Sequence, residues 1–262
     1  VSDFRPSSNL DRFYQAALTI EGKISDFDLI YSGGYFERRV KTAMDYSYYT
    51  VAYDQIPGYT KFPDGMGGFL DPTQSIFADE RYTKFTQEAR LSSPSDKRFR
   101  VIAGVFYQRQ TNKDNTDFSI QNLGTIVTQP RGFGDDLFAR RLFRVDTDYA
   151  AFAEANFDIT DTLKLTGGIR GFRAKNSLFG FSGFASNVLS TLQPCLPTSK
   201  MDRPCNNIDK RTSESGETHK VSLAWQATPD QLYYATYATG FRPGGNNRLV
   251  GINPFKSDRL SN

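Results

Sequence analysis

Residues 147–174 read TDYAAFAEANF, then DITDT, then LKLTGGIRGFRA, and this stretch decides the fold. In its first run Tyr149, Ala151, Ala153, Ala155 and Phe157 fall on one face, with Phe152, Glu154, Asn156 and Asp158 on the other. After a polar break centred on Thr160-Asp161, Leu163, Leu165 and Ile169 alternate with Lys164, Thr166 and Arg170. A period of two marks a β-strand, and the short polar break marks a hairpin.

The same unit occurs three more times. Runs 13–24 and 27–40 flank Ser25-Asp26, runs 82–92 and 99–111 flank Pro94-Ser95-Asp96, and runs 218–228 and 232–241 flank Pro229-Asp230. Each run is close to the 9–11 residues that a tilted strand needs to cross a bilayer. Between the pairs the pattern predicts long connections over 41–81, 112–146 and 175–217. The second, opening Asn112-Lys113-Asp114-Asn115, reads as a solvated loop. Beyond Phe241, Arg242-Pro243-Gly244-Gly245-Asn246-Asn247 begin a fourth loop, within which Ser261-Asn262 are expected to lie. Short turns alternating with long loops are how an antiparallel membrane barrel is wired. The expected fold class is therefore all-β: one antiparallel transmembrane β-barrel segment, 1–262, of about eight strands in four hairpins. Eight strands can close alone, but loops this long suit a slice of a larger wall. An open edge in hydrocarbon would cost several kcal/mol per unpaired amide.

Composition agrees with a sheet that has one polar and one apolar face. Aliphatics are few, whereas the 262 residues contain 14 Tyr, 22 Phe and 21 Gly. Mean hydropathy is −0.52, and no apolar stretch reaches the roughly 18 residues of a helical membrane span. A barrel strand hides its hydrophobicity in every second position, so this does not count against a barrel. The net charge of +3 comes from 32 basic and 29 acidic residues. Arg38-Arg39 and Arg140-Arg141 are isolated pairs, so no nucleic-acid footprint is present. The single histidine, His219, lacks a Gly-x-Ser-x-Gly elbow and reads as a wall or rim residue; no catalytic residue, cofactor or metal site is expected. No signal peptide is visible at Val1-Ser2-Asp3-Phe4, consistent with removal or with a start inside a longer protein. Cys195 and Cys205 share one polar, proline-containing stretch and can close a small disulfide ring in an oxidising compartment. Two free thiols or a distant pairing are the alternatives.

Four blocks, in order, carry a family resemblance. Phe85-Thr86-Gln87-Glu88-Ala89-Arg90-Leu91-Ser92 leads into Phe99-Arg100-Val101-Ile102-Ala103-Gly104-Val105. Asp146-Thr147-Asp148-Tyr149 and its strand precede Leu163-Lys164-Leu165-Thr166-Gly167-Gly168. Trp225-Gln226-Ala227-Thr228-Pro229-Asp230 precedes Leu232-Tyr233-Tyr234-Ala235-Thr236-Tyr237 and Gly240-Phe241-Arg242-Pro243-Gly244-Gly245. Together they resemble TonB-dependent outer-membrane receptors of the siderophore-receptor type, over essentially the whole chain. Asn246 departs from the pattern, since an aromatic residue often follows the last glycine.

The resemblance implies a Gram-negative outer membrane, a 22-stranded barrel filled by a plug domain, and import driven by an inner-membrane energy-coupling protein. The partners it implies are membrane lipid, the plug of the parent chain and a bulky nutrient, by default an iron–siderophore chelate. A plug-like segment, an energy-coupling box and a terminal closing strand are not read in these residues. By the same resemblance the short turns are periplasmic and the long loops external. Glu88, Arg90, Glu154, Lys164 and Arg170 would then face the plug or lumen. Tyr46, Tyr48, Tyr49 and Tyr53 offer broad faces with hydroxyls, suited to a ligand, to an interfacial girdle or to loop packing. Arg131 and Arg242 are candidates for an anionic chelate. The competing functions are a passive porin-like channel and a soluble β-rich binding or structural domain.

Overall fold

The computed structural model describes residues 3–53, 60–129, 133–184, 196 and 205–262. Nine strands follow one another in a single antiparallel sheet whose spatial order is the chain order. They are β1 (Ser8–Ile24), β2 (Phe27–Asp45), β3 (Gln74–Ser92), β4 (Phe99–Ile120), β5 (Asp136–Asp158), β6 (Leu163–Phe184), β7 (Ile208–Thr228), β8 (Gln231–Arg242) and β9 (Asp258–Ser261). Among the described residues, helices are confined to two short pieces in the loops, α1 (Ser47–Ala52) and α2 (Leu123–Ile126). The sheet is open between β1 and β9.

The hairpin turns fall where the sequence places them. Ser25 takes a left-handed backbone, φ 55°, as a tight two-residue hairpin demands of its loop. The strand ends opposite these turns are different. β2 runs on to Asp45, β4 to Ile120 and β6 to Phe184, while β5 begins at Asp136 and β7 at Ile208. The strands therefore extend into both ends of the expected loops 41–81, 112–146 and 175–217, and Asn112-Lys113-Asp114-Asn115 lie inside β4. Ser261 belongs to a ninth strand, not to a fourth loop.

The reason for both corrections is the same. Above the membrane each face of a strand meets water or polar neighbours, so the apolar–polar alternation that reveals a strand fades. What holds the tall wall is the backbone ladder together with cross-strand ion pairs. Arg140 Nε lies 3.3 Å from Asp114 Oδ2, Arg141 pairs with Asp117, and Arg38 pairs with Asp11 across β1 and β2. An exposed pair such as Arg38–Asp11 contributes about 0–1 kcal/mol.

Register assigns the two faces. The rows Leu18↔Gly33↔Gln87↔Tyr107↔Tyr149↔Arg173 and Ile20↔Tyr31↔Ala89↔Val105↔Ala151↔Gly171 place the apolar sets of successive strands together. This face leaves Leu18 57%, Val105 59%, Ile169 53% and Trp225 50% exposed, a continuous apolar surface of the kind that meets lipid or a partner rather than water.

Aromatic rings bound the apolar surface at two levels. Phe99, Phe157, Trp225 and Tyr233 lie near the short turns, with Trp225 and Tyr233 5.8 Å apart. Tyr14, Tyr35, Phe85, Tyr107 and Tyr149 lie higher, Tyr107 being 6.2 Å from Phe85 and 5.2 Å from Tyr149. Phe99 to Tyr107 on β4 is eight residues, roughly 20 Å of height at 3.3 Å per residue and a 40° tilt. Paired girdles at this spacing delimit a bilayer's hydrocarbon.

The buried hydrophobic clusters among the described residues lie at the far rim. Phe62, Ile120, Leu123, Phe133, Leu137, Ala139 and Phe181 form one cluster, against which Tyr49 and Phe184 pack. Leu142, Leu178 and Ile208 form a second on the opposite, polar-bearing face. The loops are therefore anchored to the wall by small hydrophobic cores of their own.

Candidate ligand vestibule

The polar face carries the candidate site. Its cross-strand rows join Asp146 to Asn176, and Ala174 to Glu214, on the same face as Glu154, Arg170 and Lys220. The β7–β8 ladder ends at Lys220↔Ala238, after which β8 pairs with β9. Freed from β7, the segment 243–257 folds back onto this face as a strap. Gly245 and Phe255 close its base by a pair of backbone hydrogen bonds, 3.2 and 2.9 Å. A Cβ at Gly244 would collide with the Phe255 carbonyl, and one at Gly245 would stand 2.7 Å from the Phe255 ring. The two glycines are there because the strap's strands touch.

Three anchors hold the strap to the wall. The backbone N–H of Asn246 donates to Asn176 Oδ1 at 2.9 Å, and Asn246 Nδ2 donates to Asn176 O at 3.1 Å. Both asparagines are buried. Asn176 in turn donates to Asp146 at 2.5 Å, and Asp146 is paired with Arg144 at 2.9 Å. Lys210 Nζ donates to the carbonyls of Asn247, Leu249 and Ile252, at 2.9, 2.5 and 2.8 Å. Ser257 donates to Glu214 at 2.5 Å. Asn246, which departs from the family pattern at this place, is thus a structural clasp.

Under the strap is a cavity of about 770 Å³, lined by Gln110, Arg144, Asp146, Asp148, Asn176, Glu214, Arg242, Phe255 and Lys256. Below it Phe172 and Phe241 pack against each other, centroids 4.1 Å apart and ring planes tilted by 32°. The cavity holds charges of both signs and one aromatic wall, a lining suited to a bulky polar molecule rather than to a purely apolar one.

The residues singled out from sequence fall in three places. Arg242 lines the cavity. Glu88, Arg90, Glu154 and Arg170 border a second hollow, about 490 Å³, lower on the same face. There Arg90 pairs with Glu88 at 3.6 Å, Lys220 with Glu154 at 3.4 Å, and the Arg170 guanidinium lies 5.3 Å from the Phe106 ring. Lys164 is exposed at the short-turn end of β6, apart from them.

The tyrosine group does not act as one patch. Tyr46 stacks on Tyr49 at 5.0 Å, and Tyr49 meets Tyr53 at 4.9 Å, while Tyr46 packs edge-on against Phe118 of β4. Tyr48 points elsewhere, against Phe4. All four sit on or beside α1, away from the cavity under the strap. His219 is exposed on the apolar face, 5.9 Å from the Tyr237 ring.

Arg131 and Cys195 lie outside the described residues. Cys205 is buried and held in a disulfide. If Cys195 is its partner within the chain, intact mass should rise by about two daltons on reduction, with no change in oligomer size. A disulfide-linked dimer or two alkylatable thiols would refute the ring.

Sequence reading missed Asp146, Asp148, Asn176, Lys210 and Glu214. The signal for the aspartates is present: stepping by twos from Glu154 through Phe152 and Ala150 reaches Asp148 and Asp146 on the same face. Asn176 and Glu214 fall in the stretch assigned to a loop, where no face can be assigned.

The profile of TonB dependent receptor-like β-barrels matches residues 2–258. The chain belongs to the TonB-dependent receptor β-barrel family. Its wall superposes on the ferric yersiniabactin uptake receptor FyuA from Yersinia pestis with a TM-score of 0.68 at 14% identity, covering 99% of this chain and 33% of that one. It also superposes on the ferric-catecholate import receptor Fiu from K12 E. coli in its closed form (0.60, 15%, covering 93% and 35%). For the siderophore receptor PiuA from Acinetobacter baumannii the values are 0.57 and 13%, with 90% and 33% covered. This TonB-dependent receptor barrel segment spans about a third of the length of each of these receptors. No curated protein matches it by sequence. Barrels of this family reside in the outer membrane of Gram-negative bacteria.

Proposed function

We propose that this chain is the ligand-gathering arc of an energy-coupled outer-membrane importer, and that its cargo is a bulky, polar metal chelate of the iron–siderophore class. The observation that carries the reading is the strapped cavity. It opens on the lumen side of the wall, above the hydrocarbon, and its lining combines Arg144, Arg242 and Lys256 with Asp146, Asp148, Glu214 and Phe255. Cationic side chains there would meet the carboxylate, catecholate or hydroxamate oxygens of a chelate, and Phe255 would cover its apolar flank. The acids keep net attraction modest, which suits a cargo that must also leave. The family's plug and its inner-membrane energy-coupling partner would complete the importer. Import here is a conformational process, so the side chains bind and release without performing covalent chemistry.

The test is uptake by cells carrying the full-length receptor that contains this chain. Radiolabelled ferric chelates should accumulate only while the inner membrane is energised, with cobalamin and oligosaccharides failing to compete. Uptake that persists after the proton-motive force is dissipated would point to a passive pore. Competition by cobalamin or a glycan would keep the importer and replace the cargo.

A further inference from the structure

Above the upper aromatic girdle, on the lipid-facing side, four cations occupy one register row on four successive strands: Arg12↔Arg39↔Arg81↔Lys113. All four are exposed. Arg109 lies four residues below Lys113 on the same face, level with Phe85 of the girdle, and is also exposed. Like charges placed directly opposite each other in a sheet destabilise it. In the two flanking rows of these strands, Tyr14↔Glu37↔Thr83↔Thr111 and Leu10↔Lys41↔Asp79↔Asn115, the only acids are Glu37 and Asp79. Asp79 is engaged by Lys41 at 3.6 Å. Glu37 is buried between Arg39 and Arg81, each 2.8 Å away, and further capped by Tyr14 and Tyr35. One carboxylate thus orients two guanidinium groups, while Arg12, Arg109 and Lys113 have no acidic partner among the described residues.

The geometry points to a binding site for a phosphate-bearing lipid headgroup of the outer leaflet. Depth is the first argument. The row begins two residues beyond Tyr14 and four beyond Tyr35 and Phe85, about 5–10 Å above the girdle at barrel tilt, the level of the headgroups. Chemistry is the second, because planar guanidinium forks bind phosphate oxygens bidentately, and one carboxylate among four cations leaves the row short of anions. Continuity is the third. Directly below, exposed Leu18, Tyr35 and Phe85 offer the surface on which the same lipid's acyl chains would lie. The site faces away from the lumen, so it does not depend on which ligand the receptor imports.

The experiment uses the full-length receptor in mild detergent, with bound lipid counted by native mass spectrometry. The probes are phosphatidic acid, phosphatidylcholine of the same chains, and inorganic phosphate. Phosphatidic acid should be retained selectively. At about fivefold per surface cation, the double variant Arg12→Gln/Lys113→Gln should bind it about 25-fold more weakly. Arg109→Gln, tested separately, should lose about fivefold. Lys84→Gln, a cation on the opposite face of β3, should bind as the parent does. Equal retention of phosphatidylcholine, unchanged retention by the double and Arg109 variants, or inorganic phosphate competing as well as the lipid would each overturn the proposal. Heat-resistant gel migration confirms that a variant is folded before its lipid is counted.

Discussion

Leu223→Arg is expected to destabilise the folded barrel by about 2–4 kcal/mol, while its neighbour Ser222→Arg should change stability by less than about 1 kcal/mol. Leu223 is exposed and Ser222 half-buried, and both lie on β7, five and six residues from its short-turn end. Their side chains point to opposite faces. Leu223 shares its row with Leu165 and Ala235 on the apolar side, whereas Ser222 faces Thr166 and Thr236 on the lumen side. Near mid-membrane an arginine on the lipid face must draw its charge through hydrocarbon to the interface. On the lumen face it meets water and the hydroxyls of its neighbours. Denaturant titration of the receptor folded into lipid vesicles measures both. Equal losses for the two variants would mean that the faces are assigned the wrong way or that the sheet does not cross a bilayer.

Releasing the strap should have the next largest effect. In Lys210→Met the strap loses all three hydrogen bonds from the ammonium to the carbonyls of Asn247, Leu249 and Ile252. Hydrogen bonds to a charged group contribute about 1.5–3 kcal/mol each, of which water recovers part once the carbonyls are exposed. Adding Asn246→Ala removes both hydrogen bonds from its side-chain amide to Asn176 and leaves only the one from its backbone N–H. A strap that is closed only a small fraction of the time reduces apparent affinity by that fraction. The double variant should therefore bind a ferric chelate roughly 10- to 100-fold more weakly. Amide hydrogen exchange across 243–257 should accelerate in step, and this readout needs no ligand. Unchanged exchange would show that the anchors do not hold the strap. Faster exchange with unchanged affinity would separate strap closure from binding.

The lumen-side anchors were less legible than the wall for a physical reason. In 147–174, one face of each strand meets hydrocarbon, so Tyr149, Ala151, Leu165 and Ile169 must be apolar while Glu154, Lys164 and Arg170 stay opposite. In Asn112–Asp117, Lys113 and Asp117 sit on one face and Asp114 and Thr116 on the other, with no apolar residue on either. At that height each side meets water or polar neighbours, Asp114 and Thr116 being buried against Arg140, and a strand there is sequence-indistinct from a loop. The tyrosines of α1 were legible as aromatic residues but not as contacts. Their rings are distributed among one another, Phe118 and Phe4 by a short helix that no capping signal announces.

The sequence by itself determined the hairpins, their turns, the two faces of the membrane-crossing strands and the family, because the bilayer imposes a strict period-two pattern on every strand that crosses it. Only the tertiary structure decided how far the strands rise above the membrane, that 243–257 folds inward onto Asn176, Lys210 and Glu214, and that Arg12, Arg39, Arg81 and Lys113 stand side by side. Those features depend on register between strands far apart in the chain, which cross-strand hydrogen bonding sets and local patterning does not record.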